Sequence, residues 1–196
     1  MPDARLPESV RTYLEETGVR VAVDALLAIR PARLPADLTL AELPDYVAAR
    51  AQAELTRWEF AQACLDLWSS IWSPLLEEWQ AGPLSAMLAS GLNAVTPEAI
   101  WNESGLNVWH HRGDLFLYTA VELTPEATTI AFGLERDDEP LLTEMPGFNW
   151  RNDEDSESWL THEQIRVPAA FGSELDKLQD LARFAMAQVN AQVGSE

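Results

Sequence analysis

Cysteine and lysine each occur once in these 196 residues, as Cys64 and Lys177, and histidine occurs three times. A single thiol cannot close an internal disulfide, so no covalent framework staples this fold, and a reducing, cytoplasmic setting is expected. No run of 18 or more apolar residues occurs, which argues against a membrane-spanning helix. The opening Met1-Pro2-Asp3-Ala4-Arg5 leads into an amphipathic segment without the apolar stretch of a signal peptide. Nothing matches the glycine-rich loops that cradle phosphates or the G-x-S-x-G nucleophile elbow.

Positive charge is the other scarcity. Thirteen basic residues face 32 acidic ones, for a formal net charge of −19. Such a surface repels phosphate backbones and anionic lipid, so direct nucleic-acid or membrane binding through a basic footprint is not expected. The excess is uneven: residues 1–121 hold 16 acids and 8 bases, whereas 122–180 hold 15 acids and 4 bases in about half the length. A basic protein partner would be attracted and steered by that half.

What is present is apolar material in plenty: 47% of the chain is hydrophobic and there are eight tryptophans, enough for a real core. The patterning predicts one α+β domain. Residues 1–95 read as mainly helical. Pro7-Glu8-Ser9 opens a first helix that Gly18 would stop, and residues 19–30 form a second. Thr39-Leu40-Ala41-Glu42 is a capping-box pattern whose turn Pro44 would interrupt. From Asp45 to about Trp72 a long helix is predicted, rich in Ala, Glu, Leu, Arg and Gln. A ladder of Trp58, Leu65, Trp72 and Trp79, joined by Ala61, Trp68 and Leu75, puts a tryptophan stripe on one helical face. Whether Trp58, Trp68, Trp72 and Trp79 are core or binding surface is left open by the spacing.

Over 96–172 the period changes from 3.6 to 2, predicting a three- to four-stranded antiparallel sheet with acidic loops. After a short helix begun at Thr96-Pro97, strands are expected at 106–111, 115–123 and 128–134, with a fourth around Phe148-Asn149-Trp150. The middle strand is apolar on both faces and reads as central. Residues 135–139 and 153–157 read as acidic loops. A C-terminal helix over 173–193, with a stripe of Leu175, Leu178, Ala182, Ala185 and Val189, is expected to pack on the sheet.

No catalytic set emerges. Asp114 and Glu122 resemble in spacing the acid pair of magnesium-dependent nucleases of the PD-(D/E)xK type, but the position of that motif's lysine is Thr124. Without the lysine nothing polarises the attacking water or steadies the phosphate charge. His110 and His111 are adjacent on a strand and point to opposite faces, so one metal cannot take both unless the strand is bulged. His162 lacks H-x-H, H-x-x-x-H or H-E-x-x-H spacing to either. Cys64, in an apolar helical pattern, reads as a buried structural thiol. No metal or cofactor is therefore expected.

The expectation that follows is a non-catalytic, acidic protein-binding protein that covers a basic surface of its partner, as an inhibitor, an immunity protein or an anti-defence factor would. Asp137, Asp138, Glu139, Asp153, Glu154, Asp155 and Glu157 would stand where phosphates stand in a nucleic acid, with Trp150 and Trp159 as apolar anchors. Two alternatives stand behind it: an acidic secretion-type chaperone, for which a homodimer is the natural assembly, and a small-molecule binder with a tryptophan-lined pocket.

Overall fold

The computed structural model describes residues 6–29, 33–81, 95–152, 158–165 and 172–194. Helices α1 (Glu8–Glu15) and α2 (Thr17–Ala28) precede the long α3 (Leu43–Ile71), which a 3-10 turn (Ser73–Leu75) closes. Strand β1 (Gln80–Ala81), the short helix α4 (Pro97–Asn102), and β2 (Gly105–Arg112), β3 (Leu115–Leu123) and β4 (Thr128–Arg136) follow. Next come β5 (Glu139–Pro140), β6 (Asn149–Asn152), β7 (Ser158–Ile165) and the C-terminal helix α5 (Gly172–Gly194).

The expected α+β layout stands, with a larger sheet than the three or four strands predicted. Its order is β1-β2-β3-β4-β7-β6, with β5 pairing a further stretch of β4, and every pairing is antiparallel. Sequence reading did not find the two-residue strands β1 and β5 or the longer β7, which sits between β4 and β6. β3 is central, as its two apolar faces predict.

Local chemistry explains where the helices begin and end. Pro44 does not interrupt a turn; it lies in the first turn of α3, where a missing N–H costs nothing. Ahead of it, the Glu42 carboxylate accepts from the Thr39 hydroxyl at 2.6 Å and the Thr39 amide at 3.0 Å, half of the predicted capping box. Pro74 ends α3 because it cannot donate into the ladder. Gly18, expected to stop α1, instead lies in the first turn of α2; the break is the extended residue Glu16. Thr96 caps α4 as predicted, accepting from the Ala99 amide at 3.3 Å.

One glycine is dictated by close approach. A Cβ on Gly105 would lie 2.3 Å from the Val121 carbonyl oxygen and 2.8 Å from Glu122 Cα. The start of β2 therefore presses onto β3 at a distance only glycine permits.

The core lies between α3 and the sheet face formed by Val108, Leu117, Thr119, Val121, Ile130, Phe132, Leu134 and Leu160, all essentially buried. α5 joins from the side with Leu178, Ala182, Ala185, Met186 and Val189 buried, and Gln179 Nε2 donates to the Ser70 carbonyl at 3.0 Å. A smaller apolar cluster of Tyr118, Ala120 and Ala131, flanked by Trp109, occupies the other face of the sheet.

The tryptophan question is answered residue by residue. Take Phe60 as the origin and advance about 100° per residue around α3. Ala53, Cys64, Leu67 and Ile71 then fall within about 40° of it, and Ala61, Trp68 and Trp72 at about 80–120° complete the buried arc. Leu65 and Trp58 follow at about 140° and 160°, so the heptad ladder rotates out of the core by about 20° per repeat. Trp72 is wholly buried and Trp58 is 45% exposed. Trp68 and Trp79 are buried, but Trp79 lies beyond the end of α3 and belongs to no common helical stripe.

Candidate functional site

Three sets of chemistry-bearing residues resolve differently. Among the histidines, His110 turns into the core and His111 sits half-buried on the opposite sheet face, as alternation predicts. The His110 ring stacks on Trp68 at a centroid distance of 5.9 Å, and its Nε2 lies 3.3 Å from the Thr119 hydroxyl. That hydroxyl also accepts from Trp68 Nε1 at 3.1 Å and donates to the Val108 carbonyl at 3.3 Å. Burial, helped by the neighbouring His111, holds His110 at about 4, well below the ordinary 6.5, so the ring is neutral. His162 is three strands away: the register runs His110–Leu117–Leu134 at one level and His162–Ile130–Val121 four residues along. With strands about 4.8 Å apart and about 3.3 Å per residue, the backbones are roughly 19 Å apart. The two do not share a ligand.

The acid pair is separated too. Asp114 forms an ion pair with Arg136, 2.9 Å from its Nε, at one end of β3, and Glu122 lies 3.9 Å from Arg151 near the other. Eight residues of extended chain, about 26 Å, lie between them. Cys64 is wholly buried and its thiol is pushed far above the usual range by burial, so it is not a nucleophile at neutral pH. Among the described residues no group of three His, Cys, Asp or Glu side chains gathers to hold a metal.

The acidic segment 135–139 is a tight hairpin, not the loop expected. Glu135 and Arg136 end β4, Glu139 begins β5, and Asp137 and Asp138 form the two-residue turn, with φ of 52° and 63°. Two successive left-handed residues are the signature of the hairpin turn that matches strand twist, and aspartate tolerates that conformation better than most side chains. Asp137, Asp138 and Glu139 are all exposed at the tip. The chain then turns back: the Leu141 amide bonds the Leu134 carbonyl at 2.7 Å, and Phe148 packs edge-on against Phe132 at 5.2 Å. Between these anchors, Thr143, Glu144, Met145 and Pro146 line an open cleft of about 550 Å³ with Phe148, Asn149, Trp150 and Leu160. Trp150, 37% exposed, sits on β6, the outermost strand on this side of the sheet.

So the structure brings the 137–139 carboxylates to one hairpin tip and joins it, through Pro140, Leu141 and Leu142, to the Trp150 cleft, whose lining begins at Thr143. Asp153, Glu154, Asp155, Glu157 and the Trp159 side chain lie outside the described residues. Glu144 and Met145 belong to the cleft without having been singled out in the sequence. Their only signal was position, between an acidic turn and an aromatic strand.

A further surface was misread. The outer face of α3 shows Val47, Leu55 and Trp58 exposed, with Ala51 between them, over a span of about 17 Å. The sequence ladder placed Trp58 with Trp72; the structure groups it instead with two aliphatic residues that had not been singled out.

No protein-family model, no curated protein and no solved structure matches the chain.

Proposed function

We propose that the protein binds a basic surface of a protein partner through the β4–β5 hairpin tip and the adjoining Trp150 cleft, without catalysing a reaction. The observation that carries this reading is the continuity of the two features. Three exposed carboxylates at a rigid two-residue turn lead directly into a cleft that Met145, Phe148 and Trp150 make apolar. Carboxylates fixed on a tight turn lose little conformational freedom on pairing with arginine or lysine. An aromatic anchor beside them supplies the desolvated contact that such charge pairs need to add affinity, since rim charges alone mainly raise the association rate. The −19 net charge adds long-range steering of a cationic partner and weakens with salt. An inhibitor, immunity or anti-defence protein works in this way.

The test is affinity capture from the source cell with the immobilised chain, run beside two variants, Asp137→Asn/Asp138→Asn/Glu139→Gln and Trp150→Ala. A basic protein retained at low salt, released at high salt and lost from both variants is the expected result. Equal retention by native chain and both variants, or recovery of no basic protein at low salt, overturns the proposal.

A further inference from the structure

A second cleft lies at the opposite, helical end of the molecule, where α1, α2, α3 and α4 meet. It encloses about 490 Å³ and is lined by Tyr13, Asp24, Leu27, Ala28, Arg57, Glu98, Trp101 and Asn102. That volume falls in the range of small-molecule sites. One wall is aromatic: Tyr13 and Trp101 meet at a centroid distance of 4.5 Å, and Phe60 braces both from behind at 6.3 and 5.2 Å.

The polar groups are unevenly matched. Asp24 accepts from the Tyr13 hydroxyl at 3.1 Å, which orients the phenol but leaves the carboxylate charge uncompensated. Glu98, exposed in the first turn of α4, has no cation beside it among the described residues. Arg57 is half-buried and its terminal guanidinium nitrogen is held by Glu54, which Arg50 also binds at 2.7 Å. One carboxylate thus serves two guanidinium groups. Arg57 Nε, however, is buried and makes no hydrogen bond. That nitrogen is closed off from the cleft, and what the cleft offers a ligand is two carboxylates with no ion-pair partner among the described residues.

We propose that this cleft binds a small organic cation, an alkyl or aryl ammonium or a guanidinium. The cation pairs with Asp24 and Glu98 against the Tyr13–Trp101 wall. Ammonium and guanidinium groups gain from an aromatic face as well as from carboxylates, a combination that a neutral ligand cannot use. The site is distinct from the hairpin surface and does not depend on the partner-binding reading.

Tyramine and agmatine are suitable probes, with tyrosol as the neutral counterpart of tyramine, all titrated by calorimetry and ligand-observed NMR at physiological salt. Saturable binding of tyramine or agmatine at about 1 mM or tighter is expected, with tyrosol at least tenfold weaker. Asp24→Asn/Glu98→Gln should weaken the cation at least tenfold. The hairpin variant Asp137→Asn/Asp138→Asn, which removes as much negative charge elsewhere, should leave binding unchanged. Tyrosol binding as tightly as tyramine overturns the proposal. So does equal weakening by the two charge variants, which would reduce the effect to the net charge, or absence of saturable binding by either cation up to about 10 mM.

Discussion

Two tryptophans, one at the middle and one at the C-terminal end of α3, have the same side chain, similar helical positions and opposite fates. At the C-terminal end, Trp72 is wholly buried, donates from Nε1 to the Ala120 carbonyl at 3.0 Å and packs on Phe132 at 6.3 Å. Its neighbour Trp68 donates to Thr119 and stacks on His110. Ten residues before Trp68 on the same helix, Trp58 is 45% exposed. The sheet supplies an acceptor for the buried N–H of Trp68 and of Trp72, whereas the buried N–H of Trp79, beyond the helix, has none. The lesson is that a heptad ladder on a straight helix is not one surface. The rotation of about 20° per repeat moves its members from core to rim within two repeats.

The comparison breaks most visibly at Trp72. Trp72→Ala removes a buried aromatic from the centre of the helix–sheet interface and should cost about 3–5 kcal/mol, a large part of the stability of a domain of this size. Urea unfolding followed by far-UV circular dichroism measures it. Trp72→Phe, which keeps most of the packing but leaves the Ala120 carbonyl without the indole, should cost less, about 1–2 kcal/mol. Equal costs for the two variants would mean that the hydrogen bond, not the volume, holds the helix to the sheet.

A smaller, pH-dependent effect sharpens the same interface through His110. In the folded chain this ring titrates at about 4, against an ordinary 6.5. Below 6.5 the unfolded chain therefore takes up a proton that the folded chain refuses, and the unfolded state gains. The contribution is complete above pH 6.5 and is lost as the pH falls toward 4, with a slope of at most about 1.4 kcal/mol per pH unit for one proton. The carboxylates titrate in an overlapping window, so the measured quantity is the difference between the native chain and His110→Gln at pH 7, 6 and 5. The native chain should lose its advantage over the variant as the pH falls. Parallel curves would show that His110 is not held neutral against Trp68.

Much of this interface was legible in the sequence. The long helix, the strands expected at 106–111, 115–123 and 128–134 and the C-terminal helix all rest on local pattern, and all are present. What escaped rests on distant partners. β7 mixes polar and apolar residues on both faces, and only its pairing with Phe132 on one side and Trp150 on the other makes it a strand. Residues 135–139 read as a loop because acid residues dominate them, although two aspartates at positive φ make a hairpin turn. Of the proposed partner surface, the tip and Trp150 were readable, but not Met145 and Glu144. The helical cleft was not readable at all: Tyr13, Asp24, Arg57, Glu98 and Trp101 come from four helices, and no spacing links them.

The smallest expected effect is the most discriminating. Trp58→Ala removes the same atoms as Trp72→Ala from the same helix, one heptad ladder apart. If exposure sets the outcome, its cost stays within about 0.5 kcal/mol, the range of ordinary surface substitutions, because the indole surrenders little contact and the alanine favours the helix. A cost approaching that of Trp72 would mean that something covers the Val47–Leu55–Trp58 face in solution. In that event stability would also rise with protein concentration, since an association that buries the face stabilises only the folded chain. Unfolding midpoints of native chain and variant at two concentrations, about 1 and 100 μM, separate these cases. A concentration-independent midpoint and a near-zero difference assign Trp58 to the solvent side of the helix, and leave the inward tryptophans as the pair that fixes α3 to the sheet.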